Sequence, residues 1–92
     1  MKENFTEFRV EDYLTNDELR KEYLTQVLAD GDTDELRRAI FYLAKSKGVE
    51  VIAKKANLNR ESFYKMFRPE AKPRFESILK VMNALDIKLT CV

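Results

Sequence analysis

The sequence predicts a mainly α domain of five or six helices, leaving room for a short terminal β-ribbon. Three observations carry this. Apolar residues recur at three- and four-residue spacing through 19–28, 36–44 and 75–85. Gly31 and Gly48, the two glycines of the chain, fall where two of those stretches stop. The two prolines, Pro69 and Pro73, bracket a loop before the last stretch. With 92 residues, 45% hydrophobic and 36% charged, the chain suits one domain around one core.

The elements follow in order. Phe5, Phe8 and Val10 precede a short helical stretch around Glu11 to Leu14, and Phe5 to Arg9 can form a strand. Thr15-Asn16-Asp17-Glu18 reads as a capping box, with the Thr15 hydroxyl on one helix-start amide and Glu18 reaching back to another. Leu19, Tyr23, Leu24, Val27 and Leu28 form the stripe of that helix, and Gly31 ends it. Asp32 or Thr33 caps the next helix, whose stripe is Leu36, Ala39, Ile40, Leu43 and Ala44, ending at Gly48. Residues 49–68 supply two further helices. Pro73 suits the first turn of a last helix that is expected to bury Phe75, Ile78, Leu79, Met82 and Leu85. Ile87 to Val92 alternate as a strand that can pair with Phe5 to Arg9. A two-stranded pair is marginal by itself, so it needs a helix or a second subunit beside it. The organisation expected is a single domain, 1–92: acidic helices over 10–47, a helix-turn-helix over 49–68, and a helix with a strand over 73–92.

The segment 49–68, VEVIAKKANLNRESFYKMFR, is the most specific part of the chain. Two helices that cross steeply need a very small side chain where the second packs over the first, and Ala53 stands there. Four residues on, Asn57 takes the sharp turn, as one of the few non-glycine residues that tolerate a left-handed backbone. Ile52, Ala56, Leu58, Phe63 and Met66 fall where the core between the helices needs apolar groups. Asn59 is a good N-cap, with Arg60, Glu61 and Ser62 forming the first turn of the second helix. Amphipathic helix pairs are common, so it is the agreement of all these positions that points to a DNA-reading unit.

The net charge of +1 is an average over two unlike halves. Residues 1–36 carry 11 acidic and 4 basic side chains, and residues 37–92 carry 5 acidic and 13 basic. Arg37, Arg38, Lys45, Lys47, Lys54, Lys55, Arg60, Lys65, Arg68, Lys72 and Arg74 gather in and around the helix-turn-helix. Each phosphate that such a residue neutralises adds salt-dependent affinity. The split suggests two partners of opposite charge, although charged residues also serve simply to solvate helix faces.

From Gly48 to Val92 the chain resembles the lambda-repressor/Cro-type helix-turn-helix family. More narrowly it resembles the addiction-module antidotes, antitoxins of the HigA-like type. Phe5, Phe8 and Asp12-Tyr13-Leu14 match the start of that subgroup. Leu58, Arg60, Glu61, Tyr64 and Lys65 match its reader helix, and Pro73, Arg74, Phe75, Leu79, Lys80, Val81, Ala84 and Leu85 match the helix after it. There are departures. Val49 stands where many such repressors start the unit with a phosphate-contacting Gln. Asn57 replaces the usual turn Gly, Lys72 the Asn before Pro, and Asp86 the Gly after the Ala-Leu pair. The resemblance implies a lambda-repressor-like fold and a cytoplasmic antitoxin that binds a RelE/HigB-like ribonuclease toxin. It also implies a repressor of its own operon that binds operator DNA as a dimer. A stand-alone prophage-type transcriptional regulator without a toxin shares the DNA half of this reading. A third reading is a pure interaction module, in which the two helices of 49–68 only pack.

On the DNA-binding reading Arg60, Glu61, Tyr64 and Lys65 lie on the outward face of the reader helix, where side chains reach base edges in the major groove. Arg60 can take guanine by a bidentate contact and Glu61 can accept from cytosine N4; each can equally form a surface ion pair or complement the helix start. Asn59 caps the helix and can also touch DNA. Lys47, Lys54, Arg68, Lys72 and Arg74 are phosphate candidates, which position without reading sequence. Phe41 and Tyr42 lie partly off the stripe of their helix, either wrapped onto a neighbour or exposed as an anchor for a partner. A homodimer is expected, since one reader helix seldom suffices and paired half-sites are the usual remedy.

Several classes are disfavoured. There is no histidine, no metal-ligand cluster and no glycine-rich loop, so neither a cofactor nor an enzyme is expected. Glu11 with Asp12 and Asp17 with Glu18 are consecutive on helices and do not converge on one point. No run is long enough for a membrane span, and no N-terminal stretch has the apolar core of a signal peptide. The lone Cys91 excludes an internal disulfide and fits a reducing cytoplasm, where it reads as a small apolar residue.

Overall fold

A computed structural model describes residues 9–87. Six helices follow one another: α1 (Val10–Tyr13), α2 (Asp17–Asp30), α3 (Thr33–Lys47), α4 (Val49–Lys55), α5 (Arg60–Met66) and α6 (Phe75–Ala84). No strand occurs among the described residues. The predicted strands, except for Arg9 and Ile87, and Cys91 lie outside those residues. The mainly α, helix-turn-helix class is therefore the observed one.

The centre of the molecule is α3, which packs against α1, α2, α4 and α6, while α4 also packs against α5 and α6. The stripe of α3 makes this possible: Ala39, Ile40, Leu43 and Ala44 are buried. Of these, Ile40, Leu43 and Ala44 join Leu14, Ile52, Phe63 and Val81 in one continuous core. The Asp32 side chain accepts from the amides of Asp34 and Glu35, so of the two predicted caps Asp32 is the one used.

The start of α2 differs from expectation. Asn16, not Thr15, is the N-cap, its Oδ1 accepting from Leu19 N at 2.9 Å. This shifts the helix start by one residue and leaves Glu18 one place too early to close a capping box. Its buried stripe is narrow, with Leu24 and Val27 inside and Leu28 45% exposed. Gly31 ends the helix in the left-handed region at φ 75°, as expected.

The start of α6 also differs. Arg74 is the N-cap with extended backbone, so Pro73 precedes the helix instead of joining its first turn. Phe75, now the first helical residue, is 69% exposed. The buried positions are Val81, Met82, Ala84 and Leu85, with Ile78 and Leu79 half-buried. Among the described residues, no helix is long and apolar enough to cross a membrane.

Candidate nucleic-acid interface

The turn between α4 and α5 is built by backbone hydrogen bonds. Asn57 sits at φ 61°; its N–H donates to the Lys54 carbonyl at 3.1 Å and the Leu58 N–H to the Ala53 carbonyl at 2.9 Å. That pair of bonds is a Schellman closure with asparagine in the left-handed position. Ala53 and Ala56 are both 3% exposed, which lets α5 cross closely over α4. Asn59 then caps α5, its Oδ1 accepting from Ser62 N at 2.7 Å.

The inner side of α5 is fixed by Phe63, which is fully buried, and by Met66. Phe63 packs on Phe67 with ring centroids 4.9 Å apart. Phe41 of α3 reaches Phe67 at 5.5 Å and Tyr64 at 5.8 Å. Phe41 therefore wraps onto α5, and Tyr42 beside it is half-buried; neither stands out as a free anchor. An aromatic cluster of this kind holds a short helix rigidly at one angle.

The outer side of α5 presents Arg60, Glu61, Tyr64 and Lys65 to solvent. Arg60 is held in two ways. Its Nη1 donates to Glu50 Oε1 of α4 at 3.1 Å, and its guanidinium lies 5.4 Å from the centroid of the Tyr64 ring. Both ends of the Arg60–Glu50 pair are well exposed, with side chains 64% and 79% accessible, so it orients the guanidinium more than it stabilises the fold. Lys54, Lys65 and Arg68 are exposed and carry no ion pair among the described residues. Over 49–68 five basic side chains stand against two acidic ones.

Three phosphate candidates stand differently. Lys47 turns toward α2, its Nζ 3.7 Å from Asp17 Oδ1. Lys72 lines a groove between the start of α3 and α6. Arg74 is exposed at the α6 N-cap. Val49 starts α4 half-buried against the core, so its side chain offers no polar contact there. No group of three or more His, Cys, Asp or Glu that could hold a metal is present among the described residues.

The family described as "probable addiction module antidote protein" matches this chain over residues 4–92. The chain belongs to that family. An uncharacterised protein of Haemophilus influenzae is 30% identical to it over 88 residues, which are 96% of this chain and 91% of that one. No solved structure matches.

In this antidote-family chain two more residues join the site: Glu50, which spacing alone does not single out, and Lys55, already one of the basic residues gathered around 49–68. Glu50 lies ten positions before Arg60 and meets it only because the turn folds α4 against α5. Lys55, exposed in the last turn of α4, adds to the same basic face. A carboxylate on one helix of a turn and an arginine on the next is the available signal, but the spacing that joins them depends on the crossing angle.

Proposed function

We propose that this chain is the DNA-binding antidote of a toxin–antidote pair. It holds operator double-stranded DNA as a homodimer with α5 as the reader helix, represses its own operon and neutralises a RelE/HigB-like toxin in the cytoplasm. It performs no catalysis. The observation that carries the DNA half is the outer face of α5. Arg60, Glu61, Tyr64 and Lys65 stand on a helix whose back is locked by Phe63, and Lys54 and Arg68 flank it as exposed cations. Such a face combines base-edge donors and acceptors with phosphate-seeking cations on a rigid support. Family membership supports the toxin half, and the HigA-like motif pattern in 58–85 supports the narrower assignment.

Two measurements test it. In a binding titration with the protein's own promoter, Arg60→Ala is expected to weaken binding by roughly 1–3 kcal/mol and to relax preference at one base pair. Operator affinity equal to that of the parent would remove α5 from the reader role. Co-expression with the products of adjacent reading frames is expected to yield a stable complex with one of them. If none co-purifies, the toxin half fails and the DNA half stands alone.

A further inference from the structure

Leu28 and Phe75, two of the large apolar side chains exposed among the described residues, line one groove. The groove has a volume of about 760 Å3 and runs between the end of α2, the start of α3, the 69–73 loop and α6. Leu36 and Ile78 extend its apolar floor. Phe75 in particular is 69% exposed in the first turn of α6, a place where a polar residue would favour the helix start. Exposed apolar area gathered in one concavity, with a charged rim, is the form of an association surface.

The rim indicates the occupant. Its four charged residues are Asp34, Arg37, Glu70 and Lys72, two of each sign. Glu70 and Lys72 carry no ion pair among the described residues. Arg37 is only partly satisfied: its Nη1 reaches Asp34 Oδ1 at 2.9 Å, while its Nε is covered and has no acceptor among the described residues. A strongly basic or strongly acidic partner would meet like charge on half of this rim. A two-fold copy brings the same balanced rim, in which an acidic residue of one protomer can face a basic residue of the other and the reverse. The 69–73 loop that lines the groove leads directly from α5 to α6, so pairing here links the two α5 helices through one short segment each.

We infer that this groove is the homodimer interface, with Phe75 and Leu28 of each protomer seated in the groove of the other. The inference rests on the proposed dimeric DNA reader for its purpose but not for its test. Light scattering on the purified full chain is expected to give twice the 10.9 kDa chain mass. Phe75→Asp and, separately, Leu28→Glu are expected to give the single mass, with helical circular dichroism unchanged and melting no longer dependent on protein concentration. Tyr13→Asp, at an exposed apolar residue outside the groove, is expected to leave the dimer intact. A wild-type monomer, or a dimer that survives Phe75→Asp, overturns the inference. So does a wild-type monomer whose Phe75→Asp form no longer holds a purified toxin, which would give the groove to that partner. A wild-type dimer that is split by Phe75→Asp but binds no DNA at any salt concentration leaves this inference standing and removes the DNA reading instead.

Discussion

Asn57 and Asp86 both hold left-handed backbone at φ 61°, each closing a helix. At Asp86 the bonds repeat those of the α4 turn: its N–H donates to the Asn83 carbonyl at 3.0 Å and the Ile87 N–H to the Met82 carbonyl at 2.9 Å. Asparagine accepts this conformation at little cost. Aspartate accepts it too, but it places a negative charge at the negative end of α6. Asp86→Gly is therefore expected to raise stability by about 0.5–1 kcal/mol, read as a shift of the urea midpoint at constant slope. Gly48 gives the opposite case. Its φ of 105° suits no L side chain, and a Cβ there would meet only Val51 Cγ2 at 3.9 Å. The cost of Gly48→Ala is then torsional instead of steric, about 1 kcal/mol or more of stability. Should the two substitutions move the midpoint in the same direction, backbone conformation is not what these positions are selected for.

At the scale of elements, α1 has four residues and none of them is buried. It is tied to α3 by Glu11, which receives Arg9 Nη2 at 3.0 Å and Lys45 Nζ at 3.1 Å. Its own backbone amide, with Lys45 and Arg9, holds the Glu11 carboxyl at about 2 against the opposing effect of burial. Because that value lies below the ordinary 4.5, the stabilisation is complete above about 4.5 and disappears as pH falls toward 2. Amide protection over 10–14 is expected to fall across that window while protection in α3 persists, and Glu11→Gln is expected to abolish the pH dependence. Simultaneous loss of protection in both helices at every pH would show that α1 opens only together with α3, through its packing on the core, and not by titration of Glu11. The same scale shows what spacing conveys. The stripe of α3, the Asp32 cap and the Asn57 turn are legible because each depends on residues within a few positions. The α2 cap is not, because Thr15 and Asn16 are both good caps and only the packing of α2 chooses between them. The exposure of Phe75 is hidden for a related reason: periodicity gives a helix its face but not which residues of that face are covered. Charge alone offers Lys47 to phosphate, yet it turns toward Asp17, thirty positions away in sequence.

For the whole molecule, the polarity of charge becomes a division of surfaces. Residues 17–35, α2 and the start of α3, carry seven acidic and two basic side chains, the reverse of the balance over 49–68. The molecule extends 39 × 35 × 25 Å, several times the Debye length of about 8 Å at physiological salt. Exposed charges more than a Debye length apart are largely screened, so substitution tests whether the two charged stretches act separately. Under the proposed function, replacing Lys54 and Arg68 with Gln is expected to reduce the slope of log K against log salt by about 1 for each phosphate no longer neutralised. Preference among operator sequences should change little, since these residues neutralise without reading bases. Glu18→Gln with Glu22→Gln, one turn apart on α2, should leave that slope unchanged and weaken capture of the co-purifying toxin instead. A basic-face variant that keeps the full salt slope would mean that DNA, if bound, is not held by α4 and α5. An acidic-face variant that alters the slope as strongly would mean that the molecule acts through its summed charge, and the assignment of separate partners to separate helices would fall.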